Sequence, residues 1–202
     1  MDTIVLATNN KGKIRELSVM LEPFGVAVKS LAEFPEIGDI PETGETFLDN
    51  AFIKARAVAE RTGLVAVADD SGIEIDALDG RPGVYSARYA GEQHDDHDNN
   101  EKMLAEMKDV PEDKRTGRYR CVMAASAPNG AEITADGSYE ITVGHGYKGR
   151  GGFGYDVIVI DPDFGCHVAE LDPEVKNGKS HRGKAMKKLL EQWPDFWAKA
   201  QR

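Results

Sequence analysis

Asp69 and Asp70 stand directly after the apolar run Val65 to Ala68 and directly before Ser71. Neighbouring carboxylates repel each other, so such a pair at the end of a buried strand calls for something positive nearby. With ordinary carboxyl pKa values of about 4, both are ionised near neutral pH. An ionised carboxylate can bind Mg²⁺ or take a proton from an attacking water. Ligands also gather at the carboxyl ends of strands in open α/β sheets. Alternation along a strand turns the two side chains to opposite sides, which implies different tasks: a metal or water contact for one, a hydrogen bond to loop N–H groups for the other. An Asx-turn that merely closes the strand is the structural alternative.

Four further segments carry residue types suited to chemistry. In ATNNKGK, the polar run Thr8-Asn9-Asn10-Lys11-Gly12-Lys13 lies between a strand and a helix start, where free N–H groups and the positive helix end suit phosphate. A loop with solvated lysines is its plain alternative, and it is neither a Walker A loop nor a GxGxxG. In ETGETFLDNAFIKA, Thr46 and Asp49 have capping-box spacing. Asn50 and Lys54 lie four apart and share a helical face that could meet a ligand, and Glu42 in the preceding loop can reach a metal ion. GRGGFGYD offers Phe153 as a base-stacking platform and Asp156 as an acceptor for a purine N–H, or else a glycine-rich bend with packed aromatics. Lys176 and SHRG add Ser180, His181 and Arg182 ahead of a helix start, donors for an anion or a base. HDDHD, His94 to Asp98, lacks the usual metal-ligand spacing and reads as a solvated acidic loop. Cys121, inside an apolar strand, reads as a core residue.

The elements that must position these residues alternate. Thr3 to Ala7 reads as a buried strand, Ile14, Leu17, Leu21 and Phe24 as a helical face closed by Gly25, and Val26 to Ser30 as a second strand. After a loop rich in Pro, Gly and acids, Phe47 to Arg61 reads as a helix bounded by Gly63, and Leu64 to Ala68 as a strand whose polar end is the Asp-Asp-Ser turn. His94 to Asn100 reads as a polar loop, Glu101 to Lys108 as a short helix, and Tyr119 to Ala127 with Glu132 to Val143 as an antiparallel hairpin about Pro128-Asn129-Gly130. Val157 to Ile160 completes the strands and Lys184 to Gln201 forms a closing helix. The order implies an α/β protein with at least partly parallel pairing.

The 202 residues suffice for one domain with a sizeable core. A formal charge of −10, from 25 basic and 35 acidic residues, opposes binding of an extended polyanion such as duplex DNA, while a small anion in a local basic pocket remains compatible. Two cysteines without CxxC spacing favour a reducing compartment. The N-terminal residues lack the pattern of a secretory signal, and no apolar run approaches the ~20 residues a membrane span needs. The expectation is a cytoplasmic protein.

Five segments, ATNNKGKIREL, ETGETFLDNAFIKA, ADDSGIEIDALDGRPGVYSARYAG, GGFGYD and SHRG after Lys176, resemble in content and order the inosine triphosphate pyrophosphatases, the Ham1-like family. Each is weak alone, but together they run from residue 7 to residue 183. The resemblance implies an elongated α/β fold, with two lobes, a cleft between them and a long mixed sheet flanked by helices, in a single pyrophosphatase domain over residues 1–202. It implies Mg²⁺-dependent hydrolysis of ITP, dITP and XTP to the monophosphate and pyrophosphate, which keeps deaminated purines out of nucleic acids, and a homodimer. Carried over by position, Thr8, Asn9, Asn10, Lys11, Gly12 and Lys13 would hold the triphosphate, with Lys54 beside it and Ser71 touching substrate. Glu42 and Asp70 would hold Mg²⁺, and Asp70 would accept the proton from water attacking the α-phosphorus, leaving Asp69 to hold the turn. Phe153, Gly154, Tyr155, Asp156, Lys176, His181 and Arg182 would line the nucleotide site and read the base. The chain departs from the family at Val157, where a proline is common, and in the Asn9-Asn10-Lys11 loop, which has Asn where Gly is frequent. A nucleotide sensor, a nucleic-acid-binding module and a γ-phosphatase are the competing readings.

Overall fold

In the computed structural model, residues 2–8, 14–15, 18–19, 21–92, 94–150, 152 and 154–202 are described. Seven strands form one mixed sheet in the order β2-β1-β3-β4-β5-β6-β7. They are β1 (Asp2–Leu6), β2 (Val26–Ser30), β3 (Val65–Ile75), β4 (Thr116–Ser126), β5 (Glu132–Val143), β6 (Val159–Asp161) and β7 (Cys166–His167). Among the described residues, the helices with defined bounds are α1 (Phe47–Thr62), α2 (Asp96–Glu106), α3 (Pro173–Lys179), α4 (His181–Glu191) and α5 (Trp193–Ala200). The architecture is α/β, as the alternation of patterns implies.

The chain forms two compact units, one of Met1–Asp70, Val122–Asp136 and Ala185–Arg202, the other of Ser71–Cys121 and Gly137–Lys184. In the first unit β1 pairs in parallel with both β2 and β3, with Ile4 opposite Val28 and Val65. Parallel pairing needs crossover connections that pack on the faces of the sheet, which fits the unbroken apolar runs Ile4 to Leu6 and Val65 to Ala68, all buried. The predicted capping box of α1 is present: Thr46 Oγ1 accepts from the Asp49 N–H at 3.1 Å, and Asp49 accepts from the Thr46 N–H at 3.2 Å. Left-handed Gly63 ends the helix. Ile14 and Leu21 are helical, as their spacing predicts; Leu17 lies outside the described residues, and Phe24 is exposed in a 3-10 turn, Glu22–Phe24, closed by left-handed Gly25.

The core of the second unit gathers Ile73, Ile75, Met103, Met107, Tyr139, Ile141, Val143 and Tyr155. Along β5 buried and more accessible residues alternate from Ala135 to Val143, the period of a strand with one covered face. β4 and β5 are sheet neighbours joined through Ala127 to Ala131, closed by an Ala127 N–H to Ala131 carbonyl bond of 2.9 Å. So short a connection can only reverse the chain, as the predicted hairpin requires.

Four expectations are corrected. Asp69-Asp70-Ser71 is not a turn: β3 runs on through it to Ile75, because Ile73 and Ile75 supply two further buried, alternating positions. Asp69 therefore lies within a strand, not in a turn. His94 to Asn100 is not a loop throughout: Asp95 accepts from the Asp98 N–H at 3.0 Å and starts α2 at Asp96, five residues ahead of the expected Glu101. Val157 belongs to a 3-10 turn, Gly154–Val157, closed by the Ile158 N–H on the Tyr155 carbonyl, so β6 begins only at Val159. The closing helix is two helices, since Pro194 lacks an N–H and would collide with the preceding turn of a continuous helix. The first of them begins at His181, which places SHRG at the helix start itself.

Candidate active site

The first unit assembles Glu42, Asn50, Lys54 and Asp70. Asn50 and Lys54, one turn apart on α1, face the same way as their spacing predicts. The Lys54 ammonium lies 2.7 Å from Glu42 and 4.0 Å from Asp70, so two carboxylates from different segments converge on one cation. Asn50 is fully buried and donates from Nδ2 to Asp70 Oδ2 at 3.0 Å. Its own Oδ1 accepts the Gly44 N–H at 2.7 Å. This chain of bonds fixes which way the Asn50 amide faces and thereby orients the Asp70 carboxylate. Gly44 is required by space: a Cβ there would stand 2.5–2.9 Å from Asp49 Cβ, Asn50 Oδ1 and Asn50 N. Asp69, the neighbour of Asp70 on β3, is also buried and points to the opposite side of the strand.

The donor set suits a hard divalent cation. Mg²⁺ takes oxygen ligands, keeps several waters, and is commonly held by one or two carboxylates together with substrate phosphates rather than by a protein cage. Glu42 and Asp70 supply two such carboxylates, and Glu42 is one-third exposed, which leaves room for a ligand. Among the described residues no cluster of three or more His, Cys, Asp or Glu could hold a metal unaided. Thr8 follows β1, with its N–H on the Leu6 carbonyl at 2.7 Å. Asn9, Asn10, Lys11, Gly12 and Lys13 lie outside the described residues.

The second unit contains a cavity of about 250 Å³ whose lining includes Ser71, Gly154, Tyr155, Asp156, Lys176, His181 and Arg182, all singled out from sequence. Asp156 is its electrostatic centre. It is 3% exposed; Lys176 Nζ donates to Oδ2 at 2.5 Å and the Tyr119 hydroxyl to Oδ1 at 3.0 Å. Both oxygens of this buried carboxylate thus meet a donor, as burial of a charge demands. Gly152 packs so closely on Asp156 that any side chain there would collide with the carboxylate. Phe153 lies outside the described residues.

Sequence reasoning missed Tyr119 and Tyr139. Tyr119 stacks on His181 with ring centres 5.3 Å apart, and Tyr139 donates to fully buried Asp161 at 2.6 Å. Burial raises the Tyr119 hydroxyl well above its ordinary pKa, with the Asp156 charge adding to the effect. Burial and then Asp161 raise Tyr139 in the same direction. Asp161 is held below the usual carboxylate range: burial opposes ionisation, but hydrogen bonds from Lys179, Tyr139 and two backbone N–H groups outweigh it. These tyrosines sit in β4 and β5, where an aromatic in an alternating strand gives no local sign of which face it lines.

A mixed seven-stranded α/β sheet, a carboxylate–lysine cluster and a cavity lined by aromatic and polar side chains have close relatives. The model of the Ham1 family matches residues 4–192, and the chain belongs to that family. A dITP/XTP pyrophosphatase of Nitratidesulfovibrio vulgaris is 53% identical over 201 residues, covering 96% of this chain and 97% of the relative. One of Desulforamulus reducens is 55% identical over 188 residues, covering 93% and 94%. The solved structure of the Staphylococcus aureus Ham1 protein superposes with a TM-score of 0.90 at 36% identity, covering 96% of this chain and 99% of that one.

Proposed function

We propose that this chain is a nucleoside triphosphate pyrophosphatase that hydrolyses ITP, dITP and XTP to the nucleoside monophosphate and pyrophosphate, removing deaminated purines from the nucleotide pool. The observation that carries the reading is identity above one-half, over nearly the whole length, to relatives named dITP/XTP pyrophosphatase. The convergence of Glu42, Lys54 and Asp70 supports it with a site suited to phosphate chemistry.

Glu42 and Asp70 would hold the divalent cation, which we take to be Mg²⁺. Bound there, it supplies charge neutralisation at the phosphate oxygens. Asp70, aimed by Asn50, accepts the proton of the water that attacks the α-phosphorus, and pyrophosphate leaves. Lys54 offsets charge that builds on the phosphate oxygens, and the polar run Thr8 to Lys13 holds the triphosphate with its lysines and helix start. Ser71 contacts substrate, while Phe153 to Asp156, Lys176, His181 and Arg182 take the purine. A 6-keto group accepts a hydrogen bond that His181 or Arg182 can donate; a 6-amino group leaves that donor unmatched, at a cost of about 1–3 kcal/mol. The whole chain works as one catalytic domain, and a cytoplasmic homodimer is the assembly we propose for it. Among the described residues no helix is long and apolar enough to cross a membrane.

The deciding experiment incubates the protein with Mg²⁺ and ITP, XTP, ATP or GTP and separates pyrophosphate from orthophosphate. Pyrophosphate from ITP and XTP, and little from ATP and GTP, is expected. Orthophosphate as the first product would make the protein a γ-phosphatase, and no turnover of ITP or XTP would remove the reading.

A further inference from the structure

The segment HDDHDNN, which looks in the sequence like a solvated acidic loop, meets the wall of the purine cavity. With Asp95 as the cap of α2, residues 96, 99 and 100 fall on one helical face. Asn99 and Asn100 on that face are each 2% exposed, burial that an exposed polar loop would not produce. Every one of the three side chains grips backbone. Asp96 Oδ2 accepts the Gly154 N–H at 3.2 Å and Asn100 Nδ2 donates to the Gly154 carbonyl at 3.1 Å. Asn99 accepts the Ala90 N–H at 2.7 Å and donates to the Ala87 carbonyl at 3.1 Å.

Gly154 and Ala87 both line the cavity. Gly154 sits at φ +62°, a left-handed conformation that glycine enters and leaves at little cost. It opens the 3-10 turn whose next residues are Tyr155, which donates to the Ser86 carbonyl at 2.7 Å, and Asp156, which meets Tyr119 and Lys176. A backbone that could otherwise flip is held at both its polar groups, and the turn it opens delivers the carboxylate.

We propose that Asp96 and Asn100 are positioning residues for base recognition: by clamping both backbone polar groups of Gly154 they hold Asp156 in register with the purine. The proposal rests on the pyrophosphatase reading for its choice of ligand. Loss of the clamp weakens binding of the base in the ground state and the transition state alike, so it raises KM and leaves kcat in place. Asn100 is buried and Asp96 is exposed, so Asn100 carries the larger share.

The test compares Asn100→Ala, Asp96→Ala and Asp96→Asn with the parent protein. ITP and ATP kinetics are measured by pyrophosphate release, and inosine monophosphate binding is measured by calorimetry without metal. Expected are a roughly five- to tenfold rise in KM for ITP in Asn100→Ala and about two- to threefold in Asp96→Ala. Values of kcat stay within about twofold, the ITP over ATP preference narrows in step, and Asp96→Asn, which keeps an acceptor oxygen, returns to the parent value. Unchanged KM and monophosphate affinity in the alanine variants would overturn the clamp, as would a fall in kcat at constant KM. Should Asn100→Ala not fold, the Asp96→Ala and Asp96→Asn pair decides alone. If the parent protein binds inosine monophosphate but releases no pyrophosphate from ITP, the pyrophosphatase reading falls and the binding data still judge the clamp. Failure of the parent to bind the monophosphate overturns the clamp itself.

Discussion

The carboxylate cluster of the first unit and the cavity of the second are both built around a lysine and an acid, yet they are balanced differently. Among the described residues Lys54 stands between two carboxylates, Glu42 and Asp70. Around Asp156 stand Lys176 and the Tyr119 hydroxyl, one donor on each carboxylate oxygen. The first arrangement sets one cation between two acids, the second one acid between two donors. Their supports overlap only on β3: Asn50, Lys54 and Asp70 stand on α1 and β3, whereas the cavity adds to the end of β3 residues of β4 and β5, a 3-10 turn, the short helix α3 and the first residues of α4.

The largest effect expected to separate the two regions comes from Asp70→Asn. The amide oxygen can still accept from Asn50 but the group cannot take a proton. A loss of about 10²- to 10⁴-fold in kcat for ITP is expected, with monophosphate affinity and melting temperature unchanged. Full turnover in a folded Asp70→Asn protein would end the assignment of Asp70 as the proton acceptor.

A smaller effect is expected at Gly44. A methyl group there presses on Asn50 Oδ1 and on Asp49 Cβ, strain that costs about 1–3 kcal/mol and swings the amide that aims Asp70. Gly44→Ala should lower kcat about tenfold while base affinity stays constant. Weakened monophosphate binding instead would blur the separation of the two regions.

The smallest effect is one of pH, and the chain carries its own reporters. All six tyrosines belong to the second unit and both tryptophans, Trp193 and Trp197, to the first. Tyr119, Tyr139 and Tyr155 are raised above the ordinary tyrosine pKa of about 10, chiefly by burial. The folded protein therefore holds these protons more tightly than the unfolded chain. Their contribution to stability is complete below pH about 10 and is lost as pH rises beyond it. Asp161 behaves oppositely: with its folded pKa lowered, its contribution is complete above pH about 4 and is lost as pH falls through the folded value. In alkaline titration, tyrosinate absorbance should rise above pH 10 with loss of second-unit structure while tryptophan emission still reports a native first unit. Coincident transitions would show that the two units unfold as one body.

The regions also differ in how far they could be read in advance. The Thr46–Asp49 cap, the Asn50–Lys54 face and the buried parallel strands are local patterns, each contained within a few residues, and they stand as expected. Asp69-Asp70-Ser71 reads as a turn because polar residues after an apolar run resemble a strand end, yet β3 continues through it. Inside the fold, Asn50 and Lys54 approach Asp70 and let the strand continue past it. HDDHDNN was misread because a run of acids and amides is polar whether it faces water or grips backbone.

Sequence alone determined the α/β alternation, the ends of α1 at Thr46 and Gly63, and the residue types able to meet metal, phosphate and base, since these follow from short-range sterics and hydrogen bonding. Tertiary structure alone decided that Asp96 meets Gly154 across 58 positions and Tyr119 meets Asp156 across 37. It also decided that Asn50 aims Asp70. Such contacts leave no periodic trace in the chain, because the partner of a buried polar group is chosen by which backbone or carboxylate the packed sheet and helices bring within hydrogen-bond reach.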